Sequence, residues 1–360
     1  MRYSFIIPVY NRPEGLQELL ESIMRQSLGD YEVIVVEDGS TRTSEEVIQR
    51  FVPQIYSLYY YQIPNGGPSR ARNIGVSYAK GDYIIILDSD VVLPEGYLRA
   101  VDKALSSGDI DAFGGPDTAS EDFTPIQKAI NYAMTSTLTT GGIRGGSADA
   151  MEQFKPRSFN LGCRRTLFLQ LGGFDVGMRF GEDIDFSLRL QEAGARTVLI
   201  PEAYVYHKRR VDLRRFFKQV HNSGIARIHL ETRHPGSTRL VHCLPALFTV
   251  LSALVIAAWV STKLFLRIGF PYALYPSALL TLVYIIAILS SVGVALLALL
   301  ALLFFIDAHQ KTKDTEVALW AVPACFIQLW GYGSGFVRAW WGKHILHRRE
   351  FTAFRNNFYD

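Results

Sequence analysis

Tyr83-Ile84-Ile85-Ile86-Leu87-Asp88-Ser89-Asp90 is the stretch on which the fold turns. Five residues without polar alternation read as a strand buried on both faces, the pattern of a parallel sheet covered by helices. Two acids then close it, at the end of the strand where open α/β sheets bind ligands. Ser4 to Val9 and Val33 to Val36 repeat the apolar run, with the helical periodicity Leu16, Leu19, Leu20, Ile23 between them. The first part of the chain is therefore expected to be an α/β domain.

The 360 residues carry 37 Lys and Arg against 34 Asp and Glu, a net charge of +3, and 49% of them are apolar. Such a chain buries a sizeable core, and its near-neutral balance gives no reason to expect a nucleic-acid partner. Cys163, Cys243 and Cys325 are too few and too scattered for a disulfide framework or a thiolate metal site. The apolar run at the N-terminus is too short for a signal peptide, so this end is expected in the cytosol.

Four segments carry chemistry. Glu37-Asp38-Gly39-Ser40 ends a strand; Asp38 suits a base N–H or a ribose hydroxyl, and equally a capped turn. Asn65-Gly66-Gly67-Pro68-Ser69-Arg70-Ala71-Arg72-Asn73 is a glycine-rich turn feeding a helix, where a helix N-terminus and Arg72 favour a diphosphate. Asp88-Ser89-Asp90 offers two oxygen donors to Mg²⁺ or Mn²⁺, or forms a solvated acidic turn. Glu182-Asp183 opens an amphipathic helix, either as dipole-stabilised caps or as a carboxylate that takes a proton.

Beyond residue 240 the solvent changes. Cys243 to Thr262, Ile268 to Ile306 and Val317 to Val337 contain no charged residue, and each is long enough to cross a bilayer. The middle run would make a helix of about 58 Å, too long for one straight span. Either a turn at Ser290-Ser291-Val292-Gly293 splits it into two short helices, or one span is preceded by an interfacial segment containing Pro271 and Pro276. The basic segments Lys208 to Arg239 and Arg338 to Arg355 both belong on the cytoplasmic side, which requires an even number of crossings and favours four spans over three. Leu213, Phe216, Phe217 and Val220 form an apolar stripe among Arg214, Arg215 and Lys218; it reads as a helix on an anionic membrane face or as one packed against protein.

Pro8-Val9-Tyr10-Asn11, Glu37-Asp38-Gly39-Ser40, Ala71-Arg72-Asn73, Asp88-Ser89-Asp90, Gly172-Gly173-Phe174-Asp175 and Glu182-Asp183 resemble, in order and approximate spacing, the motifs of family 2 glycosyltransferases. The resemblance covers roughly residues 1 to 230. It implies a GT-A type, Rossmann-like mixed sheet flanked by helices, here followed by an all-α transmembrane region, and an inverting sugar transfer from a nucleotide-sugar. By the same resemblance Pro8, Tyr10, Asp38, Arg72, Asp88 and Glu182 hold the donor, Asp90 and His207 the Mg²⁺ or Mn²⁺, and Asp183 is the base. Processive relatives carry Gln-x-x-Arg-Trp; here Gln219-Val220-His221-Asn222-Ser223 lacks the Arg and Trp, which favours transfer of one sugar.

The expected organisation is a catalytic domain over 1–230 ending in the basic amphipathic helix (about 207–230), membrane helices over 240–340 and a basic tail over 341–360. Residues 117 to 158 read as a mobile loop on the acceptor side or a plain surface insertion. The expected setting is the cytoplasmic membrane with the catalytic domain in the cytosol and a lipid-linked glycan or glycolipid as acceptor. A processive synthase, a silent nucleotide-sugar-binding scaffold and a transporter are the competing readings, the last weakened by uncharged runs that mark no ion path.

Overall fold

The unbroken apolar runs become the inner strands of a mixed sheet. This computed structural model describes residues 1–118, 123–140, 154–178, 180–207, 212–268 and 276–348. Strands β1 (Tyr3–Val9), β2 (Tyr31–Asp38), β3 (Leu58–Ile63) and β4 (Tyr83–Leu87) run parallel. The short strands are β5 (Val91–Val92), β6 (Ala112–Gly114), β7 (Asp117–Thr118), β8 (Asn160–Arg164), β9 (Thr197–Leu199) and β10 (Val205–His207). The main sheet has the order β3-β2-β1-β4-β8-β6-β9, with β8 antiparallel to both its neighbours. A small second sheet, β5-β10-β7, lies beyond the end of β4.

Alternation along each strand feeds two cores. Phe5, Ile7 and Val9 point to one face, packed with Leu16, Leu19, Leu20 and Ile23 of α1 (Pro13–Met24), Val47 and Ile48 of α2 (Glu45–Phe51) and, past α3 (Pro68–Tyr78) in the chain, Leu98 and Val101 of α4 (Tyr97–Ser107). Ile6, Ile34 and Ile86 point to the other, against Ala71 and Val76 of α3. After α5 (Pro125–Thr135) and α6 (Thr137–Thr140), this second core is completed by Phe168 of α7 (Arg165–Gln170) and Phe186 and Leu190 of α8 (Glu182–Glu192). Pro8 is tolerated in a central strand because β4 pairs with β1 only as far as Ile6, so its missing N–H falls past that ladder.

The described residues fall into two compact units: this sheet unit, and a helical unit holding 123–140 and 212–348. The helical unit contains α5, α6, α9 (Leu213–Arg233), α10 (Leu240–Arg267), α11 (Ser277–Thr312) and α12 (Thr315–His344). By length and composition α10 and α11 are able to cross a membrane.

Two sequence expectations change here. First, α11 runs unbroken through Ser290-Ser291-Val292-Gly293, so the helical hairpin that gave four spans is absent. The Ser290 and Ser291 hydroxyls donate back to the Ala287 carbonyl, at 3.2 and 2.6 Å, which keeps both residues inside the helix. A Cβ at Gly293 would lie 2.6 Å from Val255 Cγ1; this glycine serves helix contact, not a turn. Second, α9 groups with the helical unit and does not close the first domain at 230. Its stripe is largely covered by protein: Phe216 and Val220 are buried with Ala129, Ile130, Ala318 and Ala321, while Phe217 remains exposed. Close approach makes this possible, since a Cβ on Gly335 of α12 would meet the His221 carbonyl at 1.9 Å and one on Gly224 the Tyr332 carbonyl at 2.1 Å. Part of the expected acceptor-side loop (119–122 and 141–153) and the tail beyond residue 348 lie outside the described residues.

Candidate active site

Polar residues at the carboxyl ends of β1, β2 and β4 are held by a frame of buried hydrogen bonds. Glu37 is buried and accepts from Ser44 N at 2.8 Å, from the Tyr60 hydroxyl at 3.1 Å and from Ser40 Oγ. It fixes the loop that follows β2. Gly39 turns that loop at φ +66°, and a Cβ there would lie 2.5 Å from Asn65 N, so no other residue fits without strain. Asp38 accepts from Gly66 N and Gly67 N, both at 2.8 Å, one bond to each carboxylate oxygen. It thereby ties the end of β2 to the glycine turn that starts α3, a holding role at the position expected to face a nucleobase. Asn11, in the left-handed region at φ 52°, donates its N–H to Ser40 Oγ and accepts from Arg42 N, locking the β1 and β2 loops together.

Arg72 stands at the centre. Its side chain is 4% exposed, and the guanidinium reaches Asp88 Oδ1 through Nη2 at 2.6 Å and Glu182 Oε1 through Nη1 at 2.9 Å. The acids ending β4 and those opening α8, 94 residues apart from Asp88 to Glu182 in the sequence, are thus joined by one cation. Burial works against the charge on Arg72, but the two flanking carboxylates outweigh it and raise its pKa. Burial also raises Glu182, and Asp183 adds to this while Arg72 opposes it; the carboxyl is pushed up to about 7. A raised carboxyl pKa means that folding takes up a proton, so this stability is present at low pH and is lost as pH rises from 4.5 towards 7. Wild-type thermal stability is expected to fall over that interval relative to Glu182→Gln, as scanning calorimetry at a series of pH values will show.

The remaining acids each have a cation. Asp90, directly before β5, pairs with Arg12 at the start of α1. Asp183 takes Arg157 Nε on Oδ2 at 3.0 Å and the Ile184 N–H on Oδ1 at 2.8 Å. Asp185 pairs with Arg189, whose other donors reach the Leu171 and Gly173 carbonyls at 2.6 and 2.7 Å. Asn73 clamps the Phe174 backbone, donating to its carbonyl at 2.7 Å and accepting from its N–H at 2.9 Å. The Gly172-Gly173-Phe174-Asp175 motif is therefore a brace between α3 and α8, with Phe174 also under the Arg72 guanidinium at 5.5 Å.

The structure brings Arg72, Asp88, Glu182 and Asp183 together and places Asp90 on the same strand-end turn. Tyr10 follows β1, half-buried, and Pro8 lies inside the strand. His207 ends β10, its backbone paired with Val91 and so one register position from Asp90; its side chain lies outside the described residues. Arg12, Arg157 and Asn73 were missed as partners. Arg12 directly follows the Pro8-Val9-Tyr10-Asn11 motif and Asn73 ends the Ala71-Arg72-Asn73 motif, but Arg157 lies in a segment with no periodic signal.

Among the described residues no group of three or more His, Cys, Asp or Glu side chains is placed to hold a metal. Asp88 and Asp90 fit a hard cation that draws most of its oxygen ligands from a diphosphate and water. In this structure Asp88 is paired with Arg72 and Asp90 with Arg12.

Residues 4–181 match the model of glycosyl transferase family 2. The chain belongs to that family. The Pre-mycofactocin glycosyltransferase of Mycobacterium tuberculosis (strain ATCC 25618 / H37Rv) is 32% identical over 236 residues, 65% of this chain and 48% of the relative. The uncharacterized glycosyltransferase EpsJ of Bacillus subtilis (strain 168) is 28% identical over 211 residues, 57% of this chain and 60% of that one. The family 2 chain thus spans about half the length of the first of these relatives and three-fifths of the second. Its fold is shared with the mannosyltransferase PcManGT from Pyrobaculum calidifontis, solved with GDP-Man and Mn²⁺, at a TM-score of 0.59 and 17% identity over 95% of this chain and 88% of the other. This is the GT-A type of mixed sheet expected from the motifs.

Proposed function

We propose that the protein transfers one sugar, with inversion, from a nucleotide-sugar to a hydroxyl of a lipid-linked glycan or glycolipid at the cytoplasmic face of a membrane. The observation that carries this reading is Arg72, which links the Asp88 strand end to the Glu182-Asp183 helix start and so makes one site of two acidic motifs. Family membership supports the nucleotide-sugar. The length and apolar composition of α10 and α11 support a membrane setting.

In this mechanism Asp38, Pro8 and Tyr10 border the nucleoside, and Arg72 and Asp88 the donor's ribose and diphosphate. Asp183 takes the proton of the acceptor hydroxyl. The freed oxygen attacks the anomeric carbon as the bond from that carbon to the diphosphate oxygen breaks, and the nucleoside diphosphate departs. Arg157 and the Ile184 N–H fix the Asp183 carboxylate from either oxygen, so a single orientation meets the acceptor. Asp90 and, by the family resemblance, His207 would hold Mg²⁺ or Mn²⁺, which would supply positive charge at the leaving diphosphate.

Membranes bearing the full chain are expected to consume one nucleotide-sugar from a panel, to lose that activity in EDTA and to regain it with Mn²⁺ or Mg²⁺. Label should appear in an organic-extractable product. No consumption of any donor contradicts the enzymatic reading; label confined to soluble acceptors contradicts the lipid acceptor. Activity untouched by EDTA contradicts the cation.

A further inference from the structure

A groove of about 680 Å³ opens on the helical unit between α10 and the end of α12, within the size range of small-molecule sites. Along α10 it is lined by Thr249 and by the apolar Val250, Ala253, Leu254 and Ala257, which span about two helical turns. Arg338 and Arg348 line it as well, with Trp341 between them in sequence. Both arginines are exposed, and among the described residues neither guanidinium is paired with a carboxylate. A groove lined by hydrocarbon and by two arginines is complementary to an amphiphile with an anionic head. Trp341 beside these arginines in sequence suits the level at which rings and headgroups meet in a bilayer.

We propose that this groove binds an acidic phospholipid, with an acyl chain along Val250, Leu254 and Ala257 and the phosphate headgroup between Arg338 and Arg348. The proposal rests on the membrane setting of the preceding section. It adds a lipid site separate from the residues assigned to sugar transfer. Juxtamembrane arginines each attract acidic headgroups by about 1 kcal/mol, so two arginines correspond to a preference of about thirtyfold over zwitterionic lipid.

Trp341 provides the readout. Purified full-length protein is reconstituted in vesicles containing either phosphatidylglycerol or phosphatidylcholine with brominated acyl chains, and tryptophan quenching is recorded for wild type and Trp341→Phe. The difference between those two proteins reports the groove. It is expected to saturate at about thirtyfold lower brominated phosphatidylglycerol than brominated phosphatidylcholine. Arg338→Gln with Arg348→Gln should abolish the preference, and Arg338→Lys with Arg348→Lys should keep it. Equal quenching by the two lipids, or a preference unchanged in the Gln variant, overturns the site while leaving membrane insertion standing. No quenching of any tryptophan by either lipid overturns insertion and the site with it.

Discussion

Asp183→Asn is expected to lower sugar transfer by about 10² to 10⁴, the contribution of a positioned general base. The amide keeps the shape and still accepts from the Ile184 N–H, so the start of α8 should hold its backbone. It no longer takes a proton, and its attraction to Arg157 weakens. Donor binding depends on Arg72, Asp88 and Asp38 and should change by less than about threefold, since a role confined to the transition state lowers kcat and leaves ground-state binding alone. Initial rates with saturating donor, together with donor titration followed calorimetrically, separate the two quantities. Equal losses in both would make Asp183 a binding residue.

Arg72→Ala is the largest expected loss of stability. It leaves Glu182, 8% exposed, without its cation and beside Asp183, and it frees Asp88 as well. Removing one partner of a buried pair costs about 3–5 kcal/mol, or about 10 °C in Tm for a domain of this size. Adding Glu182→Gln should recover part of that loss when unfolding is measured at alkaline pH, above the raised Glu182 pKa, where the carboxyl would otherwise be a stranded charge. Thermal unfolding of the single and double variants checks this; a double variant no more stable than Arg72→Ala would place the cost in lost packing against Phe174. Both variants should bind donor poorly.

How much of this was legible in the residues follows the range of the interactions. Strands β1, β2 and β4 show in the sequence because each is a local apolar run, and Asp88-Ser89-Asp90 shows because strand packing calls for no acid there; Glu182-Asp183 stands out only as one of the family motifs, since acids open many helices. The cations that meet those acids do not show. Arg12 reaches Asp90 across 78 residues, and nothing near either position announces the pairing. Asp38 illustrates an ambiguity that local sequence leaves open: in the fold both its oxygens secure the Gly66-Gly67 turn. Serine and glycine at 290–293 have the composition of a turn. A hydroxyl that bonds back to its own helix and a glycine that admits a neighbouring one have the same composition, and only packing distinguishes them. The α9 stripe carried two readings for a related reason: a helix face does not say whether lipid or protein covers it, and here protein covers Phe216 and Val220.

The anomeric configuration of the product tests the central claim most directly. With one base and one displacement, proton NMR of the first product formed by the wild-type protein should show the transferred sugar with the configuration opposite to that in the nucleotide-sugar. Retained configuration would contradict a single displacement assisted by Asp183.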